Sequence, residues 1–283
     1  MGYVGGQALI EGVMMKGDKY ISTAVYNPSH NLVVNKEEFV PISKKYPMLK
    51  LPILRGFVSL IEMMVIGMKT LVYSINIASE EHEKISKNEL SSSIVISLMV
   101  SIGIFIIIPA IFFNYLRIHF ASVNILLLNA IEGCIRISIF LGFLGSTLLM
   151  KDMVRVYQFH GAEHKAVNAF EAGEKLTVEN VKKYSRIHIR CGTSFIVFVL
   201  ITSIFVFSLI GRQDLLHRIF FKLLLFPLIS GIAYELIRLA AKFHSNIFCK
   251  MLITPGLLVQ RMTTKEPDEM QITAAISALK EVI

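Results

Sequence analysis

The chain of 283 residues contains no tryptophan, only three cysteines and few charges, with Asp, Glu, Lys and Arg together making 18%. Cys134, Cys191 and Cys249 are scattered without a Cys-x-x-Cys pair, so no disulfide framework is expected, least of all in a chain facing the cytoplasm. Gly5, Gly6, Gly12 and Gly17 fit neither Gly-x-Gly-x-x-Gly nor Gly-Lys-Ser/Thr. That removes the dinucleotide and phosphate-loop readings and leaves these glycines for turns or close backbone approach. The opening Met1-Gly2-Tyr3-Val4-Gly5-Gly6 has no basic stretch followed by an apolar core, so no secretory signal is expected. Gly6 also stands where N-myristoylation requires Ser or Thr. No internal repeat is visible, which argues against inverted-repeat transport. The basic residues form no stripe interleaved with aromatics, and nucleic acid is not an expected partner.

What the chain has in excess is apolar length. Hydrophobic residues make up 54% of it, and its mean hydropathy is +0.60. Runs at 94–113, 131–150, 194–210 and 219–241 are each long enough to cross a bilayer as a helix. The expected fold is therefore mainly α, a polytopic membrane protein with about four transmembrane helices and cytoplasmic elements. The net charge of +8 is unevenly spread. The loop between the second and third runs holds Lys151, Arg155, Lys165, Lys182, Arg186 and Arg190, among others. The first and second runs are separated by Arg117 alone, and the third and fourth by Arg212 and Arg218. By the positive-inside rule the middle loop and both termini face the cytoplasm, with membrane lipids as partners.

Six segments follow. Residues 1–56 form a small β-rich unit, with β-prone runs at 21–26 and 31–34 around the turn-forming Pro28-Ser29-His30-Asn31. Residues 57–93 hold a Met-rich stretch, 57–78, and a polar linker, 80–93. Glu62 and Lys69 interrupt the Met-rich stretch, and a fifth crossing would put the Lys-rich N-terminus outside. An amphipathic helix at the interface or against the bundle is expected instead. Residues 94–150 and 194–241 carry the paired spans on either side of the loop 151–193. The tail, 242–283, turns at Pro255-Gly256 and ends in an amphipathic helix. Pro267, Asp268 and Glu269 lie at its start, and Ile272, Ala275, Ile276 and Leu279 form its stripe.

The loop carries the chemistry. His160-Gly161-Ala162-Glu163-His164 falls on an expected helix, 152–172, ended by Gly173. The two imidazoles then lie one turn apart on one face. At that spacing they can hold one divalent ion, with Glu163 as general base, and His-x-x-Glu-His is the inverzincin order. Glu171 lies on the same stripe but ~10 Å farther along the axis, too far to share the ion. The third ligand has to come from His188, Cys191, Glu235 or Glu11, although Glu11 by itself reads as a solvated strand-end carboxylate. Zinc suits this set best, and iron or manganese tolerates its imidazoles and carboxylates. Arg190 or Arg238 is placed to steady an anionic substrate. Thr177 caps a second short helix over 178–184. The plainer alternative is that the three polar residues are a solvated helix face.

Ionisable residues inside apolar runs are costly and therefore informative. Glu132 and Arg136, four apart, read as a local ion pair at the membrane edge. Glu235 and Arg238, three apart, sit near the inner end of the fourth run, where Pro227 and Gly231 invite a kink.

Several strings are similar to those of a known family: residues 5–15, Phe159 to Lys165, Thr177 to Val181 and His188 to Phe195. The likeness extends to Thr254-Pro255-Gly256 and to residues 263–268. It resembles the YqhQ-like bacterial membrane proteins, a domain family of unknown function. The resemblance implies a metal-dependent enzyme, supports the pairing of His160 with His164 and supplies no substrate. The expectation is a metal-dependent enzyme at the cytoplasmic membrane face, hydrolysing a lipid-linked or peptide bond. Two alternatives stand beside it: a transporter or channel lined by Glu132, Arg136, Glu235 and Arg238, and a scaffold whose metal is structural. Oligomeric state is not legible.

Overall fold

A computed structural model describes residues 4–80, 87–120, 122–243 and 246–283. Strands β1 (Gly5–Leu9), β2 (Gly12–Lys16), β3 (Tyr20–Tyr26) and β4 (Leu32–Glu38) form an antiparallel meander in chain order. Alternation along the strands sends Val13, Met15, Ala24 and Tyr26 to one face, and Leu9, Met14, Ile21 and Val25 to the other. Both faces are covered, so β2 and β3 read as nearly continuous apolar runs rather than clean alternation. The β3–β4 hairpin turns through His30 at φ 58, and Asn31 donates its amide to Asn27 Oδ1 at 2.9 Å. β4 runs on to Glu38, past the expected end at residue 34, because Lys36 and Glu37 find partners in Glu281 and Lys69.

After a short α1 (Ile42–Lys45), helix α2 (Leu54–Ala78) covers one face of the sheet with Met63, Ile66, Leu71 and Tyr73. The charges that interrupt its apolar sequence serve the N-terminal unit. Lys69 pairs with Glu37, and Glu62 accepts the Ile42 amide at 2.5 Å. The start of α2 packs on a later helix, α10 (Phe226–Lys242), where Gly56 lies against Tyr234.

Helix α3 (Lys87–Ile102) passes through a π-helical turn, Gly103–Ile107, into α4 (Ile108–His119). Pro109 cannot donate to the carbonyl four residues back, and the register widens just before it. The expected linker is thus shorter: residues 87–93 already belong to α3, and 81–86 lie outside the described residues. Next come α5 (Ile125–Thr147), α6 (Lys151–Glu171), α7 (Val178–Val181) and α8 (Gly192–Ser208). Thr177 caps α7 as expected, over a shorter helix.

The expected fourth span is two helices, α9 (Leu215–Leu224) and α10, bent by 47°. Pro227 sits in the first turn of α10, where its missing N–H is not needed. Gly231 makes no kink; its bare Cα lets the Ile53 carbonyl approach to 2.5 Å from where a Cβ would stand. The expected turn at Pro255-Gly256 is also absent. Helix α11 (Ile247–Thr263) runs through Pro255, and Gly256 lies against Ser194 of α8. Asp268, rather than Pro267, begins α12 (Glu269–Lys280), closing a capping box with Gln271.

Among the described residues three helices are long and apolar enough to cross a membrane: α2, residues 92–119 and α5. The bent α9–α10 pair makes a fourth if it counts as one span. Membership therefore differs from the sequence reading. α2 qualifies by length, whereas α8 has 17 residues, ~25 Å of helix against a ~30 Å hydrocarbon layer. Met99 is 66% exposed and Phe205 69% exposed, part of a broad apolar surface across these helices. On the second face of the sheet, Phe159, Ala162 and Ala166 of α6 meet Ile272, Ala275 and Leu279 of α12. This core positions the motif helix.

Candidate metal centre

Helix α6 places His160 and His164 on successive turns, their ring centroids 4.4 Å apart. Cys191, the N-cap of α8, arrives from the far end of the loop. One ligand atom from each of His160, His164 and Cys191 falls within 4.8 Å of the others. Both imidazoles are anchored from behind. His160 Nδ1 lies 2.8 Å from the Thr263 carbonyl, and His164 Nδ1 lies 2.7 Å from the Arg186 carbonyl. A carbonyl only accepts, so each Nδ1 carries the proton and each Nε2 keeps its lone pair. The Nε2 of His160 lies 3.2 Å from the Cys191 sulfur. Such backing of ring nitrogens by carbonyls is the usual support of metal-binding histidines. Two imidazoles and a thiol at this spacing fit a zinc-type ion.

Burial sets the charge states. It pushes the His164 imidazole well below its ordinary range, helped by repulsion from His160, so His164 is neutral near pH 7. The Cys191 thiol is raised to about 11 by burial and by the nearby Glu163 carboxylate. A divalent ion would displace that proton. Glu163 is pushed up to about 7 by burial, against the opposing pull of His160 and a hydrogen bond from the Gly6 backbone. A carboxyl poised near neutrality is what a general acid or base requires.

The other candidates lie elsewhere. His188 is brought near, its ring 5.8 Å from that of His164, but its Nε2 points to Glu171 Oε2 at 3.3 Å. Burial lowers His188 to about 4, so this contact is a hydrogen bond of a neutral ring. Glu171 also binds Arg190. Glu235 is held bidentately by Arg55 of α2 at 2.6 and 2.5 Å and does not join the cluster. Arg238, exposed, lies with Glu235 rather than with the histidines. Glu11, on the β1–β2 turn at φ 54, is gripped by both Arg155 nitrogens that face it, so it is a salt-bridged rather than a solvated carboxylate.

The family profile described as "Protein of unknown function (DUF1385)" matches residues 51–283. The "Uncharacterized protein YqhQ" of Bacillus subtilis (strain 168) is 35% identical over 300 aligned positions, spanning 99% of this chain and 92% of that protein. The chain belongs to the DUF1385 family. No solved structure matches it.

Three supporting residues of this DUF1385 centre escaped the sequence reading. Gln260, fully buried on α11, donates to the His188 carbonyl at 2.8 Å and to Ser194 Oγ at 2.6 Å, and accepts the His188 amide at 3.0 Å. It pins the loop on either side of Cys191. Lys165 is buried next to the motif and donates to the carbonyls of Lys182 and Tyr184, both at 2.9 Å, while pairing with Glu266 at 2.6 Å. Thr263 supplies the carbonyl behind His160. Lys165 was visible as one of the loop's basic residues and in a family-like string, Thr263 only in such a string, and a polar Gln in an apolar helix was the one local signal for Gln260. Gly161 has a steric reason to be glycine. A Cβ there would meet the Lys265 carbonyl at 2.0 Å, so the segment after α11 crosses directly over the motif.

Proposed function

We infer that the protein is a membrane-embedded, metal-dependent enzyme whose centre lies at the cytoplasmic face, with hydrolysis of a lipid-linked or peptide bond as its reaction class. The observation that carries this reading is the convergence of three ligand atoms within 4.8 Å, with both histidines held in the tautomer that leaves Nε2 free. His160, His164 and Cys191 would hold the ion, zinc in preference to iron or manganese because of the thiolate. When bound, the ion supplies Lewis acidity at a coordination position that three protein ligands leave open. Glu163 holds or accepts a proton at its carboxyl, with a pKa of about 7 set by burial. The Thr263 and Arg186 carbonyls fix the imidazoles against rotation. The broad apolar surface of α3, α4 and α8 supports insertion in a bilayer, where it is matched by lipid rather than water.

A structural metal is the second reading, favoured by the burial of His164 and Cys191, at 2% and 6% exposed. Elemental analysis tests both. Purified wild type should carry about one metal per chain, and His160→Ala, His164→Ala and Cys191→Ser should each lose it. Glu163→Gln should retain the metal; a metal-free wild type removes the reading altogether. Retained metal with retained turnover in Glu163→Gln, once a substrate is found, would leave only the structural role.

A further inference from the structure

A second set of buried charges lies between α4, α5, α8 and α9, far from the histidines. Cys191 and Ser203 mark the two ends on α8, ~18 Å apart along its axis. We propose that this second cluster is an anion site that takes a phosphate group.

The argument begins with charge. Glu132 is 1% exposed and is surrounded by Arg136 at 6%, Arg218 at 1% and Lys222 at 3%. One carboxylate against three cations leaves two positive charges uncompensated between apolar helices, and Arg117 lies near enough to repel Arg218. An excess of this kind is not left bare in a low-dielectric interior.

Hydrogen-bond accounting gives the same answer. Glu132 Oε1 accepts from Arg136 at 3.1 Å and from Lys222, while Oε2 accepts from both Nε and Nη2 of Arg218. Four bonds fill the capacity of a carboxylate. Arg136 reaches Ser203 Oγ at 2.7 Å, and Arg218 reaches the Asn129 side-chain carbonyl. Left over are Arg218 Nη1, Asn129 Nδ2 and Arg117 Nε, buried and without partners among the described residues. All three are donors. The ring of Phe113 lies 3.3 Å from the Arg218 guanidinium carbon, and Phe207 lies near Arg136 and Lys222. Those rings soften the charge but accept no N–H in the plane of the guanidinium.

Spare guanidinium donors with net positive charge match an oxyanion, and two excess charges match a phosphate group. Phosphate can come from a lipid headgroup or from solution. An apolar groove of about 300 Å³ is lined by Phe140, one turn along α5 from Arg136, and by Leu200, one turn along α8 from Ser203, and continues past Val197 and Leu258. Its lining suits an acyl chain, which makes a lipid phosphate the source the geometry favours.

The test uses the full-length protein in detergent and reads thermal stability and bound phosphorus. Short-chain phosphatidic acid, inorganic phosphate and chloride are titrated at matched ionic strength. Saturable stabilisation by phosphatidic acid supports the lipid source, and by inorganic phosphate the soluble one. Arg136→Gln and Arg218→Gln should each weaken the apparent affinity at least tenfold. Phosphorus released on denaturing the wild type, near one per chain, supports the site even where a variant fails to fold. Equal responses to phosphate and chloride, or no phosphorus together with no saturable shift, overturn the proposal. His160→Ala should leave the phosphate and phosphatidic acid shifts unchanged; shifts lost in that variant would place the ligand at the histidine centre and overturn the proposal.

Discussion

The two buried polar clusters are electrical opposites. At the junction of α6, α8 and α11, ligand atoms of two imidazoles and a cysteine sulfur converge. Between α4, α5, α8 and α9, donors and positive charge converge with too little anion. One cluster is assembled at the edge of a sheet-backed core, the other among apolar helices. Only the second keeps buried donors without partners among the described residues, whereas the first gathers ligand-type atoms whose rings are already anchored by carbonyls. A buried polar group unmatched within a fold is informative about ligand, because folding alone gives no reason to keep it.

The largest effect should come from Glu132→Gln, which strips the cationic cluster of its one carboxylate. Breaking a buried ion network costs about 3–5 kcal/mol, read as a lowered unfolding midpoint in detergent, with metal content per folded chain unchanged. An unchanged midpoint would mean that the cations are already neutralised by something else. Gln260→Leu attacks the other cluster through its support. The loop around Cys191 loses three hydrogen bonds, and metal affinity should fall ~10–100-fold, as for other supporting groups behind ligands. Wild-type affinity in this variant would show that Cys191 needs no such anchor.

Gly161→Ala comes next. Its new methyl meets the Lys265 carbonyl, and the crowding should cost about 1–3 kcal/mol while loosening the Thr263 carbonyl behind His160. Smallest is Asp268→Ala, which removes the α12 cap at Gln271 and touches neither cluster. A loss of about 1 kcal/mol with both ligand affinities intact is expected. A larger drop in metal content would show that the last helix is coupled to the centre.

What was legible in the sequence was local. His160 and His164 are related by one helical turn, and so are Glu132 and Arg136, and both pairs could be read from spacing. The partners that decide their meaning were not local. Arg218 and Lys222 reach Glu132 from 86 and 90 residues away, so an apparent edge pair is in fact the middle of a four-charge network. Glu235 looked available because Arg55, which holds it, is 180 residues distant. The apolar runs were found, yet their lengths misled. Tertiary cover from the sheet explains the charges on α2, and the break at Leu225 depends on where Pro227 falls in a helix turn. The family-like strings carried more of the site than periodicity did, because they include Thr263 and Lys165, whose roles lie in backbone contacts that no pattern exposes.

The meander at the head of the chain has one face on α2, made soon after it, and the other on α6 and α12, the latter made after every apolar helix. During synthesis those strands leave the ribosome long before their final cover exists, and half of their apolar surface stays open until α12 has been made. Closure of this core therefore waits for the last helix of the chain, so the contact of Gly6 with Glu163 is sealed last from that side.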